Sequence, residues 1–344
     1  MALEAVRVAS VGLGRWASVL ADAIGRGGKL RLVNCFTRDP SRRRAFAERY
    51  RCRESASLEA LVADPEVEGV ILTTPNHLHA EHAEMIAAGG KHLYVEKPIA
   101  HTLQDARRVE RACREAGVVL AVGHSARRLA VCGRLKGLLE SGELGEVNMA
   151  ESNFSTERGL ELTPEKWRYH QHLNPTGALI QLGIHHADTY RYLLGPIVSV
   201  TARLKRLCTK GEVEDTCLTI LEHAGGQLTY VGASWASPWA FYMQVYGGRA
   251  NARFRLTRQQ WQDPSCAPEP IRLFVDREPL GEDTFEEPPG GDMFRDTLED
   301  FAECVREGRE PEVNGAVATE ALAVVFAAHL SSQEGRTVEL RELL

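Results

Sequence analysis

From residue 6 onward, short uninterrupted apolar runs alternate with stretches whose apolar residues recur every three to four positions. Val6–Val11, Leu30–Phe36, 69–74 (GVILTT), His92–Val95 and 118–122 read as strands. The segments 16–26, 41–50, Leu58–Val62, His79–Ala88 and 103–116 read as helices. Continuous apolar strands separated by amphipathic helices predict a parallel, doubly wound sheet covered on both faces. After residue 123 the rhythm changes. A helix over 129–140 is followed by strand-like segments at 147–154, 198–207, 216–222, 227–235, 241–246 and 252–256. One helix, 178–194, interrupts them, and Met293–Glu307 and 317–333 close the chain. Strands in series predict a largely antiparallel sheet, hence an α+β domain. The expected division is 1–124 and 125–344. The segment 282–292 (EDTFEEPPGGD) reads as a loop, and no internal repeat is apparent.

Composition narrows the function classes. The 344 residues suffice for two domains, each with its own core. A net charge of −6 gives no support for nucleic-acid binding. The eight cysteines, Cys266 among them, form no CxxC pair and mostly fall in apolar segments, which predicts a reducing, cytoplasmic setting. The N-terminus lacks the features of a signal peptide. No apolar run approaches the roughly 20 residues that span a bilayer.

The first strand runs into Val11-Gly-Leu-Gly-Arg-Trp-Ala17, a G-x-G-x-x-A turn that opens a helix. Gly12 permits the tight turn, Gly14 lets backbone approach a pyrophosphate, and Ala17 lets helix pack on sheet. Leu13, Arg15 and Trp16 complete a turn whose amides face phosphate at a helix N-terminus. NAD sites place an acid about 20 residues on, where it holds the ribose hydroxyls. Here the second strand ends in Thr37 and Arg38, a hydroxyl and a guanidinium suited to a ribose phosphate. Arg42 and Arg43 add charge. NADP is therefore expected, with Asp39 keeping NAD open.

Open α/β sheets bind ligands beyond the carboxyl ends of their strands. The strand at 69–74 ends in Thr74-Pro75-Asn76-His77-Leu78-His79, and the next ends in Glu96-Lys97-Pro98. Both should overhang the crevice that holds the glycine turn, with Thr74, Pro75, Asn76, His79, Glu96 and Lys97 against the cofactor. Plain turn and helix-start chemistry is the alternative for Asn76, His77 and His79.

Together VGLGRWA, TTPNHLHAEHAEMIAAGGKHLYVEKPIA, AVGH at 121–124, Trp167-Arg168, GALIQLGIHHAD at 177–188 and the closing NGAVATEALAVVFAAHLSSQEGRTVEL resemble the glucose–fructose oxidoreductase and inositol dehydrogenase (Gfo/Idh/MocA) family. The resemblance covers essentially the whole chain. It implies an N-terminal Rossmann fold and a C-terminal α+β domain with an open, mainly antiparallel sheet. It also implies NAD(P)-dependent transfer of hydride to or from a sugar, polyol or related small molecule. Association as homodimer or homotetramer through that sheet is implied as well, as are Trp167 and Arg168 as cofactor contacts.

The resemblance places Lys97 between nicotinamide and substrate, hydrogen-bonded to the reacting oxygen. On an α-helix over 177–188, Gln181, His185 and Asp188 share one face while His186 points about 100° away. That selects His185 as the imidazole that accepts the alcohol proton, with Asp188 orienting imidazole or substrate. His124 and Gln181 are further substrate-binding candidates. Arg127, Arg128, His170 and His172 are candidates for cleft lining. Many family members carry an acid at the position of Gln181, and an amide cannot act as a base. Metal binding is not expected, since His185 and His186 diverge on a helix. Two alternatives stay open. One is a redox-neutral reaction with tightly held cofactor, and the other is a nucleotide-binding sensor or scaffold without turnover.

Overall fold

The computed structural model describes residues 4–262, 269–277 and 284–344; Cys266 lies outside them. By compactness the chain divides into two units, residues 1–125 with 294–319, and residues 126–293 with 320–344.

In the first unit, strands β1 (Val6–Val11), β2 (Leu30–Phe36), β3 (Arg53–Glu54), β4 (Gly69–Leu72), β5 (His92–Val95) and β6 (Leu120–Val122) form one parallel sheet in the order 3-2-1-4-5-6. This is the dinucleotide-fold order. Helices α1 (Arg15–Arg26), α2 (Pro40–Tyr50), α3 (Leu58–Val62), α4 (His79–Ala88) and α5 (Leu103–Glu115) connect the strands. Val8, Ala9, Val70, Leu72, Leu93 and Val95 are inaccessible to solvent, as strands covered on both faces require.

The second unit begins with α6 (Ala130–Glu140) and β7 (Val147–Ser155). The expected single α-helix over 178–194 is not what forms. Leu179–Gly183 is a π-helical turn, and α7 (Ile184–Leu194) follows it. Five further strands follow: β8 (Ile197–Lys205), β9 (Thr216–His223), β10 (Leu228–Ser234), β11 (Ala240–Gly247) and β12 (Asn251–Arg255). Beyond the short α8 (Arg258–Gln262) come β13 (Leu273–Asp276) and β14 (Thr284–Glu286). The latter corrects the loop expected over 282–292: three of its residues pair antiparallel with β13, and 282–283 lie outside the described residues. With β15 (Val338–Glu339) the sheet has, among the described residues, nine strands ordered 14-13-12-11-7-10-9-8-15, of which only β7 and β10 pair in parallel.

The last long helices are α9 (Met293–Glu307) and α10 (Gly315–Glu334). By length and composition α10 is apolar enough to cross a bilayer, a run the sequence reading missed because Glu320 and His329 interrupt it. Of its apolar window 61% is buried inside the protein, as for a core helix.

Candidate active site

In the first unit the carboxyl ends of β1, β2, β4, β5 and β6 carry the predicted residues. Gly12 has φ +90°, and a Cβ there would lie 2.6 Å from the Thr74 nitrogen. Only glycine meets both demands. The Gly12 amide donates to the Phe36 carbonyl at 3.0 Å, and the Thr73 hydroxyl donates to the Gly12 carbonyl at 2.6 Å. The glycine turn is thereby tied to both neighbouring strand ends.

Those residues fit a dinucleotide. Gly14 opens onto free space, with nothing within 4 Å of where a Cβ would stand. Helix α1 has no side-chain cap, so its first amides remain available to a phosphate. Leu13 and Trp16 are half-buried beside the exposed Arg15, and Trp16 packs edge-on against Phe294 at 5.6 Å. The Asn76 side-chain amide is buried, and its Nδ2 has no partner among the described residues.

At the end of β2 the charges sort themselves. Asp39 caps α2, accepting from the Ser41 and Arg42 amides at 2.9 and 3.2 Å. The Ser41 hydroxyl and the Arg42 amide hold its carboxyl below the usual range. Arg42 turns back on Asp39 at 3.3 Å, and Arg43 is taken by the Thr37 carbonyl and Glu54. Arg38 is exposed and has no ion-pair partner among the described residues. Its charge bears instead on His82, which is hydrogen-bonded to Thr74.

The end of β5 is more deeply set. Lys97 is half-buried between the buried Glu96 and Pro98, and the Lys97–Pro98 peptide is cis. Burial pushes the Glu96 carboxyl up to about 7, against the opposing pull of Lys97. Gly123 makes room for it, because a Cβ there would lie 2.7 Å from Glu96 Oε1 and 2.8 Å from the Tyr94 hydroxyl. His79 is 1% exposed, with its ring nitrogens 3.0 Å from the Pro98 carbonyl and 2.8 Å from the Thr74 carbonyl. It thus buttons the segment after Lys97 to the end of β4 beside Pro75. Burial lowers its pKa to about 4. His124 is buried just beyond β6, its amide bonded to the Val122 carbonyl at 2.8 Å.

The second unit holds the other predicted group. His185 is 5% exposed, edge-on to Trp261 at 4.9 Å and beside Phe154 at 5.7 Å. His186 is fully buried against Phe241, and burial lowers its pKa to about 4. Both carboxylate oxygens of Asp188 accept from Arg127, the Nε bond being 2.9 Å, and the pair is buried. The π turn breaks the α register between Gln181 and His185. Gln181 donates to Asn174 at 2.8 Å and accepts from Arg168 at 3.4 Å. The Arg168 guanidinium stacks on Trp167 at 4.3 Å, and burial followed by Arg158 lowers its pKa to about 10. Tyr94, Asn174 and Trp261 were not singled out from the sequence; Gly123, within the AVGH motif, was the one signal pointing toward the first.

Comparisons with known proteins agree with this fold. Residues 6–124 match a model described as an oxidoreductase family with an NAD-binding Rossmann fold, and residues 133–253 match a Gfo/Idh/MocA C-terminal domain. A proposed NADPH-dependent oxidoreductase from Desulfitobacterium hafniense DCB-2 superposes with a TM-score of 0.94 and 39% identity, covering 99% of each chain. The 1,5-anhydro-D-fructose reductase of Ensifer adhaerens is 26% identical over 95% of this chain and 99% of its own. The NADP-dependent scyllo-inositol 2-dehydrogenase of Bacillus subtilis is 28% identical over 82% of each.

Proposed function

Because the chain belongs to the Gfo/Idh/MocA oxidoreductase family, we propose that it transfers hydride to or from a hydroxyl/carbonyl carbon of a sugar, polyol or related small molecule. The observation that carries this reading is the strand-end assembly of the first unit, where the Gly12 turn packs on Thr74 and His79 joins Thr74 to Pro98 beside Lys97. The bound nicotinamide supplies the hydride acceptor or donor. The chain supplies the rest. Amides of the glycine turn hold the pyrophosphate. Thr37 and Arg38 take a ribose phosphate, which favours NADP, because Asp39 is committed to capping α2. The two NADP-type relatives support that choice.

Lys97 hydrogen-bonds the reacting oxygen and so stabilises charge as it develops there. His185 takes the hydroxyl proton at a ring nitrogen in the oxidative direction and returns it in reduction. Asp188 acts at a remove: locked to Arg127, it fixes the α7 segment that carries His185. Gln181, Trp167 and Arg168 form one linked set in the second unit, suited to polar contacts with substrate and cofactor. A second copy of the chain covers the exposed face of the nine-stranded sheet, and free cysteines throughout the described residues accord with a cytoplasmic setting.

Lys97→Met and His185→Ala should each lower kcat by at least about 100-fold while leaving cofactor affinity near wild type. Full turnover in both variants would refute the assignment of the proton-handling pair.

A further inference from the structure

A second constellation of ligating side chains lies in the second unit, two from the segment after β7 and one from the connection between β8 and β9. His170, His172 and Glu212 each offer one ligand atom, and the three atoms lie within 4.8 Å of one another. The Nε2 of His170 is 2.8 Å from the Pro164 carbonyl. A carbonyl only accepts, so Nε2 carries a proton, and in the neutral imidazole Nδ1 presents a lone pair. That nitrogen faces Glu212 Oε1 at 3.6 Å. With the imidazole neutral, two acceptors face each other, and a cation between them makes the contact attractive. The other carboxylate oxygen is already occupied, because the Gln171 amide donates to Glu212 Oε2 at 3.1 Å. The Glu212 amide donates in turn to the Tyr169 carbonyl at 2.9 Å, which fixes the two chain segments side by side.

We propose that His170, His172 and Glu212 bind one divalent cation of the zinc class, with water completing a tetrahedral set. Two imidazoles and one carboxylate suit zinc better than calcium or magnesium, which take oxygen ligands. Both fixed ligands have the outer-shell support that metal ligands require: the far imidazole N–H rests on a main-chain carbonyl, and the second carboxylate oxygen on a main-chain amide. Zinc bonds of about 2.0–2.1 Å hold tetrahedral donors roughly 3.4 Å apart. Rotation of the exposed His172 side chain closes the remaining gap.

The ion would pin a turn that matters locally. The Leu173 and Asn174 amides both donate to the His170 carbonyl, at 3.2 and 3.0 Å. Asn174 in turn donates to the Arg168 carbonyl at 3.1 Å and accepts from Gln181 at 2.8 Å. His170 and the exposed His172 belong to this turn, and the buried Gln181 is bonded to its Asn174. The proposal rests on residues of the second unit alone and is independent of the hydride-transfer reading.

The test is equilibrium dialysis of the chelator-stripped full chain against micromolar zinc, followed by elemental analysis. Wild type and Cys208→Ser, which removes an exposed thiol, should each bind one zinc per chain. His172→Ala and Glu212→Gln should each bind at least about 10-fold more weakly. His172 and Glu212 are exposed, so these variants should fold, which the unchanged melting of the stripped proteins verifies. Undiminished binding in both variants, loss of zinc in Cys208→Ser, or no binding by wild type would overturn the proposal.

Discussion

At the scale of single residues, the β5 end is built around a tension. Glu96 is buried beside Lys97, in space that Gly123 leaves open, and burial holds its carboxyl up at about 7 against an ordinary value of 4.5. The folded state therefore keeps a proton that the unfolded chain releases. Stability from this group is fully present below pH 4.5 and is lost as pH rises through about 7. Glu96→Gln lacks that dependence. Its melting temperature relative to wild type should rise by several degrees between pH 4.5 and 7; a difference that stays flat with pH would contradict the buried-acid account. Under the proposed function, cofactor choice turns on Arg38. Losing a charge-assisted contact to phosphate should weaken NADP by about 10-fold or more in Arg38→Ala, with NAD changed less than about 2-fold. Equal losses for the two cofactors, measured by titration, would remove Arg38 from the phosphate site.

At the scale of elements, alternation along β9 and much of β7 splits the nine-stranded sheet into two unlike faces. Ala150, Ser152 and Phe154 of β7, with Cys217, Thr219 and Leu221 of β9, are buried. The opposite face presents Met149, Leu218, Ile220 and Leu228, each close to half exposed, and the register places Leu228 beside Met149. We propose this face as the surface through which copies of the chain associate. Leu218→Asp combined with Ile220→Asp should shift the protein to monomer in analytical ultracentrifugation without loss of secondary structure; an unchanged mass would put the interface elsewhere. These strands were legible because period-two alternation is a local signal. The turn at Leu179–Gly183 was not. Its i→i+5 bonds leave no mark in a pattern that suits an α-helix equally well, so the sequence placed Gln181 in α register with His185. Likewise β14 hid in a segment rich in acids, prolines and glycines, since its strand character comes from pairing with β13.

At the scale of the whole molecule, the order of strands along the chain was readable, but the path by which the chain completes its first unit was not. Residues 294–319 cluster with that unit. Phe301 packs edge-on to Tyr94 at 6.0 Å and lies 3.3 Å from where a Cβ on Gly69 would stand. Arg306 donates to Glu68 at 2.7 Å, and with Arg7 and its amide it holds that carboxyl down at about 2. Contacts between residues about two hundred apart leave no periodic trace. The strand-end motifs were visible for the opposite reason: glycines, prolines and charged residues at the ends of apolar runs stand out locally. The claim that governs the rest is net hydride transfer to or from nicotinamide. The direct measurement follows reduced nicotinamide and product together while purified enzyme turns over a panel of sugars and polyols with added NADP. The account predicts one reduced nicotinamide per oxidised product, in a signal that falls at least about 100-fold in Lys97→Met. Product formed without net change in the cofactor, or formed as fast by Lys97→Met as by wild type, would contradict it.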